Sequence, residues 1–167
     1  MNFELKPLSP EAVPAALDKA VRYRLLNEPV LAESICRDII AVEPDNEMAL
    51  INLLLSLSDQ FDSQLSTAFK EAQECVPRLE DEYHRLYYGG IICERRANVH
   101  LERANPGSGS LAYDWYRRAM EMYEKAFELR PASNDEALLR WNTCVRVLAR
   151  HAELKPAPED QFHPFLE

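Results

Sequence analysis

Four histidines and four cysteines are the side chains best equipped for metal binding, nucleophilic attack or proton transfer in this chain. Their spacing argues against all three roles. His84, His100, His151 and His163 are scattered, and Cys36, Cys75, Cys93 and Cys144 lack the close pairing by which thiolates converge on zinc. The cysteines fall inside helical patterns, where a thiol acts as a small buried hydrophobe. Their even number permits a disulfide framework in principle, but a helical core does not need one. Glu80 and His84 stand one helical turn apart, the geometry of two ligands on one face. No second pair accompanies them, so they read as a surface contact, with Asp81 and Glu82 beside them as the acidic first turn of a helix. The chain has no G-x-x-x-x-G-K-[ST], H-E-x-x-H or G-x-S-x-G motif. Gly107-Ser108-Gly109-Ser110 has no strand to frame it and is expected to be a linker. No enzymatic activity, metal or cofactor is expected.

Charge narrows the partners. The formal charge of −9 over 167 residues opposes the broad attraction to phosphate that nucleic-acid binding needs. Arg95, Arg96 and Arg103 form the nearest thing to a basic cluster, but Glu94 and Glu102 lie among them, as on a solvated helix face. Met1-Asn2-Phe3-Glu4-Leu5-Lys6-Pro7 is not a basic segment followed by an apolar run. No stretch reaches the roughly 18 apolar residues of a membrane span. The expectation is a cytoplasmic protein that binds neither nucleic acid nor membrane, with its cysteines reduced.

Along the chain, apolar residues recur at helical spacing and proline supplies the breaks. The first helix is expected from Ser9-Pro10, or from Pro14, to about Glu28 and carries Leu17, Ala20, Val21 and Leu25. Pro29 opens the second, with Ala32, Cys36 and Ile39 inward and Pro44 after its end. Asp45 or Asn46 caps a third bearing Leu50, Leu53, Leu54 and Leu57. The fourth starts near Asp62-Ser63 and uses Leu65, Ala68, Phe69, Ala72 and Cys75 before Pro77. A long fifth runs from about Leu79 to Ala104, Asn105 to Ser110 form a turn, and the sixth covers about Leu111 to Leu129. The seventh extends from about Asp135 to Glu153, with Leu138, Trp141, Val145 and Leu148 inward. Seven helices without an alternating strand make the fold all-α.

Ala119, Tyr123, Ala126 and Pro131 stand at offsets of four, three and five, and Ala32, Cys36, Ile39 and Pro44 repeat them. This pattern resembles the second helix of a tetratricopeptide repeat, a 34-residue unit that buries its apolar face only by stacking. Ala16, Ala20 and Tyr23 match the first helix of one unit, although Lys19 replaces its usual leucine. Leu50, Leu53, Leu54 and Leu57 with Ala68, Ala72 and Cys75 form a second, in which Pro77 arrives early. Leu86, Gly89, Gly90 and Cys93 with Ala119 to Pro131 form a third. Pro44 and Pro131 lie 87 positions apart, 19 more than two units need, and the excess falls in the lengthened helix and the Gly-Ser turn. Gly89 and Gly90 each cost a helix roughly 1 kcal/mol relative to alanine. The repeat explains them as the place where a neighbouring backbone comes nearest. Leu138, Trp141, Asn142 and Val145 resemble a capping first helix whose partner is missing.

The resemblance implies a repeat array of about three helix pairs plus a C-terminal capping helix over residues 1–153, followed by a proline-containing aromatic tail, 154–167. In such arrays the first helices line a concave groove. That register implies Leu17, Val21 and Arg24, then Met48, Ile51, Leu55 and Ser58, then His84, Tyr87, Ile91 and Glu94, then Glu136, Leu139, Thr143 and Arg146. Met48, Ile51, Leu55, His84, Tyr87, Ile91, Leu139 and Arg146 are the expected partner-binding residues. The groove reads as mostly apolar with charge at its ends, suited to a hydrophobic or amphipathic protein segment, or in part closed as core. Groove residues are expected to be removable without harming the fold. The Lys and Asn clamp that holds a peptide carboxylate in some family members is matched only at Asn52. Size, acidity and three repeats also resemble secretion-system chaperones of this type. Gln161-Phe162-His163-Pro164-Phe165-Leu166 is too apolar for a solvated tail and is expected to dock on its own last helix or on another molecule, a route to a homo-oligomer.

Overall fold

A computed structural model describes residues 3–158, without the side chains of residues 63–66. The aromatic run Gln161 to Leu166 therefore lies outside the described residues. Seven α-helices follow one another: α1 (Val13–Leu25), α2 (Pro29–Val42), α3 (Glu47–Ser58), α4 (Phe61–Cys75), α5 (Glu82–Arg103), α6 (Ser108–Leu129) and α7 (Glu136–Arg150). Short 3₁₀ turns at Pro10–Ala12 and Val76–Arg78 precede α1 and follow α4. The described residues contain no strand. The fold is all-α, and no described helix is long and apolar enough to cross a membrane.

The helix ends have local causes. Asn46 caps α3 by accepting from the Ala49 amide at 2.9 Å, and Asp81 caps α5 by accepting from the His84 amide at 3.3 Å. Pro29 occupies the first position of α2, where a missing N–H costs nothing. Four boundaries depart from expectation by three residues: α1 and α7 stop early, α5 starts late and α6 starts early. The α1 helix stops at Leu25, and Asn27 takes a left-handed φ of 59° before Pro29. The Gly-Ser run is not a linker, because α6 begins at Ser108. Packing overrides glycine's weak helix propensity there. Ser108 is buried, and a Cβ on Gly109 would stand 2.7 Å from the Glu153 carbonyl oxygen.

Each helix packs chiefly on its neighbours in sequence, and α5 with α6 forms the most extensive contact. That pair is antiparallel: Asn98 meets Tyr116, Glu94 meets Tyr123 and Gly89 meets Met122. Alternate helices run the same way. Glu47 meets His84 and Leu55 meets Arg95 between α3 and α5. Glu33 meets Gln60 and Arg37 meets Glu71 on the α2 and α4 side, and Pro44 beyond α2 meets Arg78 beyond α4.

The interior divides at α5. One apolar cluster joins α1 to α5 through residues such as Ala20, Cys36, Leu54, Phe61 and Ile92, and a second joins α5 to α7 through Tyr83, Tyr116, Ala119, Tyr123 and Cys144. The α3 helix is sequestered almost all round. Two of its buried polar residues bond within their own helix: Ser56 Oγ donates to the Asn52 carbonyl at 2.7 Å, and Asn52 Nδ2 to the Met48 carbonyl at 2.8 Å.

Candidate functional site

One side of the molecule is assembled from α1, α3, α5 and α7, and its organising side chain is Asp59. This carboxylate ends α3 and accepts from Arg24 Nε of α1 at 2.9 Å through one oxygen, and from Arg95 of α5 through the other. Arg95 also donates to the Leu55 carbonyl at 3.1 Å and to Ser58 Oγ. The three charged side chains are only 19–25% exposed. Burial lowers the Arg95 pKa, and Arg24 and Arg140 depress it further, while Asp59 opposes both.

The band continues to α7 through Glu94. Its carboxylate, 7% exposed, accepts from Arg140 at 3.2 Å and from the Tyr123 hydroxyl at 2.5 Å. Burial and then the Glu94 charge drive the Tyr123 phenol far above its ordinary value. Burial lowers the Arg140 pKa, but Glu94, Tyr123 and Tyr87 together outweigh it, so the value rises. Near the other end of α5, His84 Nδ1 meets Glu47 Oε1 at 3.1 Å, so His84 is bonded to α3 rather than to Glu80. Arginine and carboxylate thus alternate across four helices that are far apart in sequence.

The expected groove residues lie at different depths. Met48 and Leu139 are 51% and 62% exposed, and Arg146 is also open to solvent. Leu55 and His84 are half-buried. Ile51, Tyr87 and Ile91 are buried, at 3%, 8% and 2%. Tyr87 stacks on Tyr83 with ring centroids 5.7 Å apart and tilts against Tyr123. These three residues belong to the core, and the middle of the face carries ion pairs where an apolar floor is expected. The supposition that Tyr87 is removable without harming the fold is accordingly corrected.

Asp59 carries no local signal in the sequence, since only its position at the end of α3 brings it to two arginines. Arg95 and Arg96 do not lie on one solvated face. Arg95 enters the band, whereas the Arg96 guanidinium sits between Phe69 and Trp115, 3.9 and 4.3 Å from their ring centres. The glycine pair meets side chains rather than a neighbouring backbone. A Cβ on Gly90 would stand 2.5 Å from Tyr123 Cε1, so the ring that serves Glu94 occupies the space the glycine leaves.

All four cysteines are buried, and burial raises each thiol, Cys36 and Cys144 to about 12 and Cys75 and Cys93 to about 11. Such thiols are poor nucleophiles near neutrality. No group of three potential His, Cys, Asp or Glu ligands comes together among the described residues. No family model, curated protein or solved structure matches the chain.

Proposed function

We propose that this chain is a non-enzymatic, tetratricopeptide-like interaction module that binds a protein segment along the face of α1, α3, α5 and α7. The repeat reading is supported by bond offsets: Arg37 with Glu71, Pro44 with Arg78, and Glu47 with Asp81 each join positions 34 residues apart. That number equals the length of the unit, and equivalent positions of stacked units are neighbours.

The observation that carries the binding reading is the composition of this face. Met48 and Leu139 are exposed on α3 and α7, two of the helices joined by a half-buried band in which Arg24, Arg95 and Arg140 outnumber Asp59 and Glu94. An amphipathic segment fits it best, with apolar side chains on Met48 and Leu139 and a carboxylate toward the arginines. A purely hydrophobic segment would desolvate the band while leaving its excess positive charge uncompensated.

The test uses three synthetic amphipathic helical peptides sharing one apolar face and differing in an acidic, neutral or basic polar face. Fluorescence anisotropy should rank the acidic peptide first. Met48→Asp with Leu139→Asp should weaken it at least about tenfold, or 1.4 kcal/mol, without shifting the melting curve, since both side chains are exposed. Equal binding of all three peptides, or an affinity untouched by the double substitution, would place recognition elsewhere.

A further inference from the structure

We propose that α5 and α6 carry a second binding site, one for a phosphorylated segment of a partner protein, formed by Arg96, His100 and Arg103 with Trp115 and Arg118. Positions 96, 100 and 103 share one face of α5, being spaced by four and three, and positions 111, 115 and 118 share one face of α6 in the same way. The two stripes meet at Trp115. Its indole centre lies 4.3 Å from the Arg96 guanidinium and 4.6 Å from that of Arg118, while the ring of Phe69 on α4 stands 3.9 Å from Arg96. Two permanent cations from different helices thus share one ring. Arg96, His100 and Trp115 are half-buried, and Arg103 and Arg118 are open to solvent.

In a chain of formal charge −9 this cluster is left without a counter-charge. Among the described residues no carboxylate forms an ion pair with Arg96, His100, Arg103 or Arg118. Glu102 adjoins Arg103 in sequence, but it lines a different depression, with Arg95 and Asn98, on another face of α5. Cys93 supplies no charge either, because burial raises its thiol to about 11. Arg96 Nε and His100 Nε2 are buried and meet no hydrogen-bond partner. Burial lowers the pKa of both groups, and Arg118 lowers Arg96 further as Arg96 and Arg103 lower His100. Cation faces cation here, and an anionic ligand would relieve them.

The charge count and the surroundings select that ligand. One carboxylate neutralises one guanidinium, whereas a phosphomonoester brings about −1.5 to −2 charges and three acceptor oxygens, which arginine forks bind two at a time. Leu111, one turn before Trp115, is 49% exposed. Apolar surface therefore adjoins the charge, and a side chain next to a phosphorylated residue covers it where free phosphate cannot. A nucleic acid is disfavoured because its many phosphates would meet the protein's net negative charge.

The probes are synthetic peptide libraries with random flanks around a fixed phosphoserine, glutamate or serine. The immobilised full chain should retain the phosphoserine library at least about tenfold over the other two, enriched in apolar residues beside the phosphoserine. Arg103→Gln with Arg118→Gln should remove that preference and leave the melting curve unchanged, since both side chains are exposed. Equal retention of all the libraries, or a preference that survives the double substitution, would overturn the proposal; phosphoserine and glutamate retained alike would overturn it in favour of an acidic segment. Trp141→Phe leaves Trp115 as the one tryptophan of the full chain, so its emission reads occupancy of the cluster. The enriched phosphopeptide should shift that emission at concentrations at least about tenfold below those needed of inorganic phosphate or a single-stranded oligonucleotide. Either of these binding as tightly as the peptide would overturn the proposal, in favour of the free anion or of nucleic acid.

Discussion

Tyr123 is where several single-residue arguments meet, because its ring fills the space beside Gly90 while its hydroxyl serves Glu94. Alanine at position 90 gains about 1 kcal/mol of helix propensity but collides with a ring that is fully buried. Gly90→Ala should therefore lower stability by about 1–3 kcal/mol in urea unfolding. Gly89→Ala is the control: its Cβ would meet the flexible Met122 Sδ at 3.2 Å, and stability should hold or rise by up to about 1 kcal/mol. The need for both glycines is legible in a sequence that places them inside a helix. The identity of the group that fills the space is not, since Tyr123 is 33 positions away and only the antiparallel crossing brings it there. The buried thiols make a pH prediction. Burial raises Cys36 from 9.0 to about 12, so the unfolded chain loses this proton first as pH rises. The stabilising contribution is complete below pH 9 and is lost between 9 and about 12. Melting temperatures should fall over that interval, and less steeply in Cys36→Ala than in the parent once each is referred to its value at pH 7.

Among the elements, α6 shows how much of a helix periodicity reveals and where it stops. Ala119 and Ala126, at 0% exposure, lie on the buried stripe that their spacing implies. Ala119→Leu and Ala126→Leu should each overpack that contact and cost about 1–3 kcal/mol in a chemical melt, and leucine tolerated at both would contradict their burial. The number and order of the helices are legible because proline and capping residues punctuate clean apolar periods. The start of α6 is not, since Gly107 to Ser110 carries every local sign of a turn and only burial of Ser108 and contact with the Glu153 backbone recruit three of those residues into helix. The α1, α3, α5 and α7 face is half legible in the same sense. Helical register groups Met48, Tyr87 and Leu139 as one set, but depth is set by tertiary packing, which leaves Met48 and Leu139 exposed and buries Tyr87, Ile51 and Ile91.

Across the whole molecule, the Arg24, Asp59 and Arg95 band ties the C-terminal ends of α1 and α3 to the interior of α5, and its removal is predicted to be asymmetric. Asp59→Ala leaves two mostly buried guanidinium groups without their shared carboxylate, which should cost about 1–3 kcal/mol. Adding Arg95→Met removes one stranded charge and should recover part of that loss, a comparison that equilibrium unfolding at constant ionic strength can make. The molecule also has an uneven grain. The α5 and α6 helices are 22 residues each against 12–15 for the others, and they share the broadest contact in a stack where each helix leans on its sequence neighbours. A linear stack of local contacts opens from its ends. The antiparallel hairpin of α5 and α6 should be the last part to open, its amides exchanging with deuterium only on global unfolding, while α1 exchanges through cheaper local excursions. The same hairpin, closed by a turn of four residues from Ala104 to Gly107, has the low contact order that favours early assembly in folding. The longest pair of helices would then serve as the template on which the other helices condense.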